Sequence, residues 1–268
     1  LKGLDPELSP WERYVEWLTA IVTRWDWGRS PNGAFINAEF GDRVWISTRL
    51  FLASIILTLI IGVAQAPLTD VAIREAIFTA VDREALRKVR FNGLNWEETS
   101  SGSMMLLPFS KYYQDNYPVK ETGAEAAKKV LTDAGYTANA AGIMEKDGVP
   151  AAFKISNFGD DPTTLAFAQT LQNQLKAGGM DVGIDQRASA DFGKVLGSRD
   201  FFMSVSGYTV GADATDAVKQ FYDSKTNENE LGDAELDKAI KDLASIQDDT
   251  ERNKAAMEVE KKHMAKYY

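Results

Sequence analysis

The chain has 268 residues, 44% of them hydrophobic and 26% charged, which suits one large or two small globular domains and excludes disorder, collagen and coiled coil for the bulk. Thirty Lys+Arg against 39 Asp+Glu leave a net charge of −9, the wrong sign for non-specific capture of nucleic acid. With no cysteine there is no disulfide, thiolate nucleophile or Cys-type metal site.

Two textures divide the chain. Residues 1–66 carry five of the six tryptophans (Trp11, Trp17, Trp25, Trp27, Trp45) and a single lysine, Lys2; beyond Pro67 the sequence is rich in Lys, Glu, Asp and Ala. Ser9-Pro10 supplies an N-cap and a first-turn proline, and Trp11, Tyr14, Val15, Leu18, Ile21, Val22 and Trp25 then recur at helical spacing. Leu50–Ala64 is an uncharged apolar run, and 44–64 approaches the roughly 20 residues of a bilayer span only by tolerating Arg49. A truncated transmembrane helix and a buried core helix both fit it. Trp45 stands where an interfacial aromatic would.

Several weak motifs in order carry a resemblance over this first segment. Leu4-Asp5-Pro6, Tyr14-Val15-Glu16-Trp17-Leu18 and Asp26-Trp27-Gly28-Arg29-Ser30, followed by an arginine and the apolar run, resemble a permease subunit of the dipeptide/oligopeptide ABC transporters. The segment 1–66 is accordingly expected to be helical and permease-like, with an apolar helix over 44–64.

The segment 67–268 reads as a mixed α/β lobe. Thr69-Asp70 starts a helix in which Ile73, Ile77, Val81, Ala85 and Val89 form one row, with Asn92-Gly93 ending it. A polar stretch from Glu97 to Pro118 follows, either a surface loop or a loop lining a cleft. Thr122 to Ala134 is a second helix closed by Gly135. Phe153–Ser156 alternates as a strand, Asp161-Pro162 opens a helix faced by Leu165, Ala168, Leu171 and Leu175, and Met180, Val182 and Ile184 alternate again. Strand, helix and strand at this spacing predict a right-handed parallel βαβ crossover in a mixed sheet. A short helix (Asp191 to Leu196), a strand (Phe201 to Tyr208) and terminal helices marked by Leu236, Ile240 and Leu243, then Ala256, Val259, His263 and Tyr267, complete the order.

The same order resembles the family 5 solute-binding proteins of peptide ABC transporters. "PLTDVAIREAIFTAVDREAL", "AAKKVLTDAGY", "LAFAQTLQNQLKAGGMDVGI" and "RDFFMSVSGYTVGADATDA" stand where that family has its characteristic helices, strand and loop. The resemblance implies a periplasmic-binding-protein-like lobe in a two-lobed receptor. Such a receptor is extracytoplasmic and cell-membrane associated, and captures a peptide or other small solute for permease subunits without breaking a bond. It further implies ligand binding at Gly207, Tyr208 and Asp213, an aspartate after Gly-Trp being the family's partner for a ligand ammonium group. The spacing departs from the family, since Gly211 takes the usual acid position; Asp216 competes, and Asp213 reads equally as a cap for a helix from Ala214. With one lobe's worth of sequence, weak or no ligand binding is expected from the chain alone.

The remaining residues suggest no chemistry. The single histidine, His263, lies on the apolar side of a terminal helix and reads as a satisfied packing residue. Asp160-Asp161 and Asp248-Asp249 precede helices, where carboxylates stabilise N-termini, so no cofactor and no metal is expected. The alternative function is a membrane-tethered structural or docking module; a hydrolase depending on Asp213 is a third, more distant one.

Overall fold

A computed structural model describes residues 58–61, 67–94, 99–208, 213–229 and 231–268, together with Trp11, Thr19 and Thr23. The chain divides into two compact units, Leu1–Ala53 and Ser54–Tyr268, and the elements below belong to the second. In the first unit Trp11, Thr19 and Thr23 have helical backbone, and the Thr23 hydroxyl donates to the Thr19 carbonyl one turn back at 2.6 Å.

The first described element corrects the sequence reading. Thr58–Ile61 is a strand, β1, not the end of an apolar helix over 44–64. An apolar run of this length reads equally as strand or helix, and its β-branched residues suit an edge that needs a partner. The rest of 44–64 lies outside the described residues. Among the described residues no helix is long and apolar enough to cross a membrane. Because β1 pairs with a strand far along the chain, the compact unit begins at Ser54, upstream of the expected boundary at 66/67.

Instead of one helix across 70–92 there are two, α1 (Val71–Ala80) and α2 (Arg83–Arg90). The row of apolar residues is continuous, but Val81 is extended and Asp82 caps the second helix by accepting from Ala85 N at 3.0 Å. The Gln174 side chain accepts from Asp82 N at 3.1 Å, so a tertiary contact holds the break. Helix α3 (Ala124–Asp133) follows, and Gly135 turns the chain with φ 91°.

A three-stranded antiparallel sheet, β2 (Thr137–Ala138), β3 (Met144–Lys146) and β4 (Val149–Pro150), is absent from the sequence reading. Its signal was there: Asp147-Gly148, both at positive φ, is the pair that a two-residue hairpin favours.

The βαβ unit forms as expected. β5 (Ala152–Phe158) and β6 (Asp181–Arg187) are parallel, with Ile155 opposite Ile184 and Phe158 opposite Arg187. Between them runs α4 (Pro162–Ala177), capped by Asp161, which accepts from Thr164 N at 2.7 Å. Ala168, Leu171 and Leu175 are fully buried, whereas Leu165 is only partly so. A 3₁₀ turn (Ser189–Asp191) and α5 (Phe192–Ser198) lead to β7 (Met203–Ser206), which is parallel to β5 and antiparallel to β1. The sheet order β1-β7-β5-β6 is thus mixed, as predicted. Helices α1, α3 and α4 pack with β5, β6 and β7 into one apolar core containing Ile73, Ile77, Leu131, Phe153, Ile155, Leu171 and Val182.

The chain closes with α6 (Ala214–Tyr222), α7 (Ala234–Asp242) and α8 (Asp249–Ala265). They form a second core with Met105 and Leu106 from the 99–117 stretch. That stretch is therefore packed rather than a loose surface loop: Ser100, Ser101, Ser103, Met105, Leu106, Leu107 and Asn116 are all buried.

Candidate functional site

In an open sheet with parallel strands, ligands gather beyond the strands' carboxyl ends. Here β5, β6 and β7 end on one edge, at Phe158, Arg187 and Ser206, and β1 starts there opposite Ser206. The segment leaving β7 is Gly207, exposed, and Tyr208, half-buried. Residues 209–212 lie outside the described residues, and the chain re-enters at Asp213.

Tyr208 is held by its ring and its hydroxyl. Its ring meets Phe221 of α6 edge-on at 5.2 Å and packs against both the helical core and the small cluster of Val195, Leu196 and Phe201. Its hydroxyl donates to Glu228 Oε2. Burial raises the Glu228 carboxyl, opposed by that hydrogen bond and by the Arg199 charge. Burial, then the neighbouring carboxylate, raise the Tyr208 phenol, so it stays a neutral donor. The sequence offered Tyr208 as a flat wall for ligand; the structure adds a fixed hydroxyl and a half-buried acid that sequence reasoning missed. No local motif marks Glu228, which comes from a loop twenty residues downstream.

Asp213 is the N-cap of α6. Its Oδ1 accepts from Thr215 N at 2.8 Å and from the Thr215 hydroxyl at 2.5 Å. Burial acts to raise its carboxyl, but the Thr215 bonds, Asn253 and Arg252 outweigh burial and hold it below the usual carboxylate range. The carboxylate is thus engaged in capping α6, as the alternative reading had it. The next N–H, that of Ala214, donates to the buried Asn253 Oδ1 at 2.8 Å. Two opening N–H groups of α6, those of Ala214 and Thr215, are therefore served by the protein's own oxygens. Asp216 lies in the first turn of α6, and its side chain is outside the described residues.

One further polar group sits close to the edge. Asn157, next to the last residue of β5, is fully buried, and its Nδ2 donates to Gln186 Oε1 at 2.8 Å. Its Oδ1 has no hydrogen-bond partner among the described residues.

The arrangement suits binding. His263 is buried between Tyr222 and Tyr268, with ring centroids at 4.5 and 5.3 Å. Neither ring nitrogen has a hydrogen-bond partner among the described residues, so the expectation of a satisfied histidine fails. Burial depresses its pKa to about 3, leaving it neutral near pH 7 and shut away from any ligand. Among the described residues no group of three His, Asp or Glu could hold a metal ion.

Residues 36–230 match the family model described as bacterial extracellular solute-binding proteins, family 5 middle. The oligopeptide-binding protein OppA of Mycobacterium tuberculosis is 27% identical over 182 residues, which cover 67% of this chain and 30% of that protein. The nickel-binding periplasmic protein of Escherichia coli is 26% identical over 148 residues, or 55% of this chain and 28% of that one. The oligopeptide-binding protein AppA from Bacillus subtilis, solved in complex with a nonapeptide, superposes with a TM-score of 0.66 at 24% identity. That superposition covers 78% of this chain and 42% of AppA. The chain thus spans less than half the length of the relatives it matches. The family match takes in residues 36–66, which the sequence reading had given to a permease-like segment, and no comparison supports a permease there. Running through most of the chain and through the sheet that carries the candidate edge, the match places this protein in the family 5 bacterial extracellular solute-binding proteins.

Proposed function

We propose that the Ser54–Tyr268 unit supplies one wall of a solute-binding site, at the carboxyl edge of β5, β6 and β7, in a receptor that delivers its ligand to an ABC-type importer. The observation that carries this is the family match over 36–230 combined with Gly207 and Tyr208 at that edge. The ligand is a short peptide or a similar small solute, the class named for OppA and seen in the AppA complex. Capture would proceed by closure of two walls, with no bond broken.

Within that wall Gly207 offers exposed backbone and Tyr208 an aromatic edge. Asp213 caps α6 and is held further by Asn253. Asp216 remains a second acidic candidate on the same turn. Permease subunits are the expected partners, a reading that the family match favours. Membrane association would follow from that partnership.

Titration of the ¹⁵N-labelled chain with di- to pentapeptides tests the reading. Binding is expected to give amide shifts concentrated at Gly207, Tyr208 and Ala214. Shifts confined to other surfaces would overturn the assignment.

A further inference from the structure

The helical core holds a carboxylate that the ligand wall does not use. Glu260, on α8, is fully buried and has no ion-pair partner among the described residues. Its Oε1 accepts from the Ser103 hydroxyl at 3.0 Å, Met104 N at 2.8 Å and the Tyr222 hydroxyl at 2.7 Å. Its Oε2 accepts from Asn116 Nδ2 at 2.8 Å. Three of these donors belong to the 99–117 stretch and the fourth is the last residue of α6. One carboxyl group thus joins two segments far apart in sequence.

Seven residues back along α8, Asn253 meets the other end of α6. Its Nδ2 donates to the Asp249 carbonyl at 2.9 Å, which orients the amide so that Oδ1 receives Ala214 N at 2.8 Å. Ala214 and Tyr222 are the first and last residues of α6, so α8 grips that helix at both ends. Pulling either end of α6 away from its partner by about an ångström would stretch that bond, now 2.8 Å at Ala214 and 2.7 Å at Tyr222, beyond hydrogen-bonding range. Asp213, the N-cap of α6, would move with the helix.

We propose that Glu260 and Asn253 are positioning residues, which lock the start of α6 beside the ligand wall and tie its placement to the 99–117 stretch. The inference rests on the ligand wall proposed above. A wall held this way loses little freedom when a ligand arrives, which lowers the ordering cost of binding. In a buried network of low dielectric the bonds to one carboxylate reinforce one another, so a change in the 99–117 stretch is felt at α6.

A double-mutant cycle tests this. Tyr222→Phe cuts the α6 arm and Asn116→Ala the 99–117 arm, each removing a donor while the other donors remain. Amide resonances of Met104, Gly207 and Ala214 are followed in the full chain, with Leu131→Val in the other core as a control for lost stability. Tyr222→Phe should shift both Met104 and Ala214. The double variant's unfolding constant should differ about fivefold from the product of the singles, within the range coupled neighbours show. Peptide affinity at Gly207 should fall about threefold in Tyr222→Phe but not in Leu131→Val. Glu260→Gln should retain most of what Glu260→Leu loses. Additive singles, or Tyr222→Phe shifts that stop short of Ala214, would overturn the proposal. Should the chain bind no peptide at all, the ligand wall fails, while the Met104 and Ala214 shifts still decide the coupling.

Discussion

The two cores of the Ser54–Tyr268 unit are built on different chemistry. The sheet core, with α1, α3 and α4 against β5, β6 and β7, is joined mainly by apolar side chains and finished by caps such as Asp161 and Gly135; the buried polar residues on these elements, Arg74, Thr79, Ser156, Asn157 and Ser204, include no carboxylate. The helical core wraps α6, α7 and α8 around buried Asn253, Glu260 and His263. Apolar packing is non-directional and tolerates small adjustments, whereas each bond to a buried carboxylate has one good geometry. On this contrast we assign stability mainly to the first core, and to the second the placement of the proposed ligand wall.

Cutting into each core should separate these roles. Leu171→Ala, at a fully buried position of α4, should cost about 3–4 kcal/mol and lower Tm by about 10 °C in calorimetry. Its peptide-induced shifts at Gly207 should keep their pattern. If that pattern changes, the division between the cores is wrong.

Acid should act on the helical core through His263. Its pKa falls from 6.5 unfolded to about 3 folded, so the unfolded chain takes up the proton first as pH drops. The stability held by the neutral ring is complete above pH 6.5 and lost progressively down to pH 3, on the order of 4 kcal/mol. Denaturation of His263→Phe across that window should lack this component. Equal pH slopes for the two proteins would show that the ring is not buried neutral.

Removing the carboxylate comes next in size. Glu260→Leu strands four donors and should cost about 3 kcal/mol, while Glu260→Gln keeps an acceptor for the three donors at Oε1 and should cost about 1 kcal/mol. Burial raises the Glu260 carboxyl, opposed by its four donors. Stability from this group is thus present below the unfolded pKa and lost as pH rises through the folded one, the opposite sign to His263. The smallest effect belongs to the sheet core's periphery: Asp161→Ala removes the α4 cap and should cost about 1 kcal/mol in urea denaturation.

The same contrast explains what the sequence disclosed. Period-two alternation at Phe153–Ser156, the Asp161-Pro162 start and the Leu171, Leu175 row are local signals, and the βαβ unit followed from them. The run at Thr58–Ile61 was misread because its state depends on β7, nearly 150 residues away, which needed an edge partner. The break at Val81-Asp82 depends on Gln174, and no local pattern foretells it. At the candidate site the resemblance pointed to Gly207 and Tyr208, which remain proposals, while Asp213 was legible as a cap by its place before Ala214. Glu228, Asn253 and Glu260 were not, because an acid or amide on a helix or loop reads as solvated until the fold brings its donors together.

The most direct test of the ligand wall is photoaffinity labelling. A short peptide with a photoreactive side chain, irradiated with the chain and mapped by mass spectrometry, should mark residues between Gly207 and Asp216, with labelling competed by unmodified peptide. Competable labelling elsewhere, with that stretch unmarked, would contradict the account.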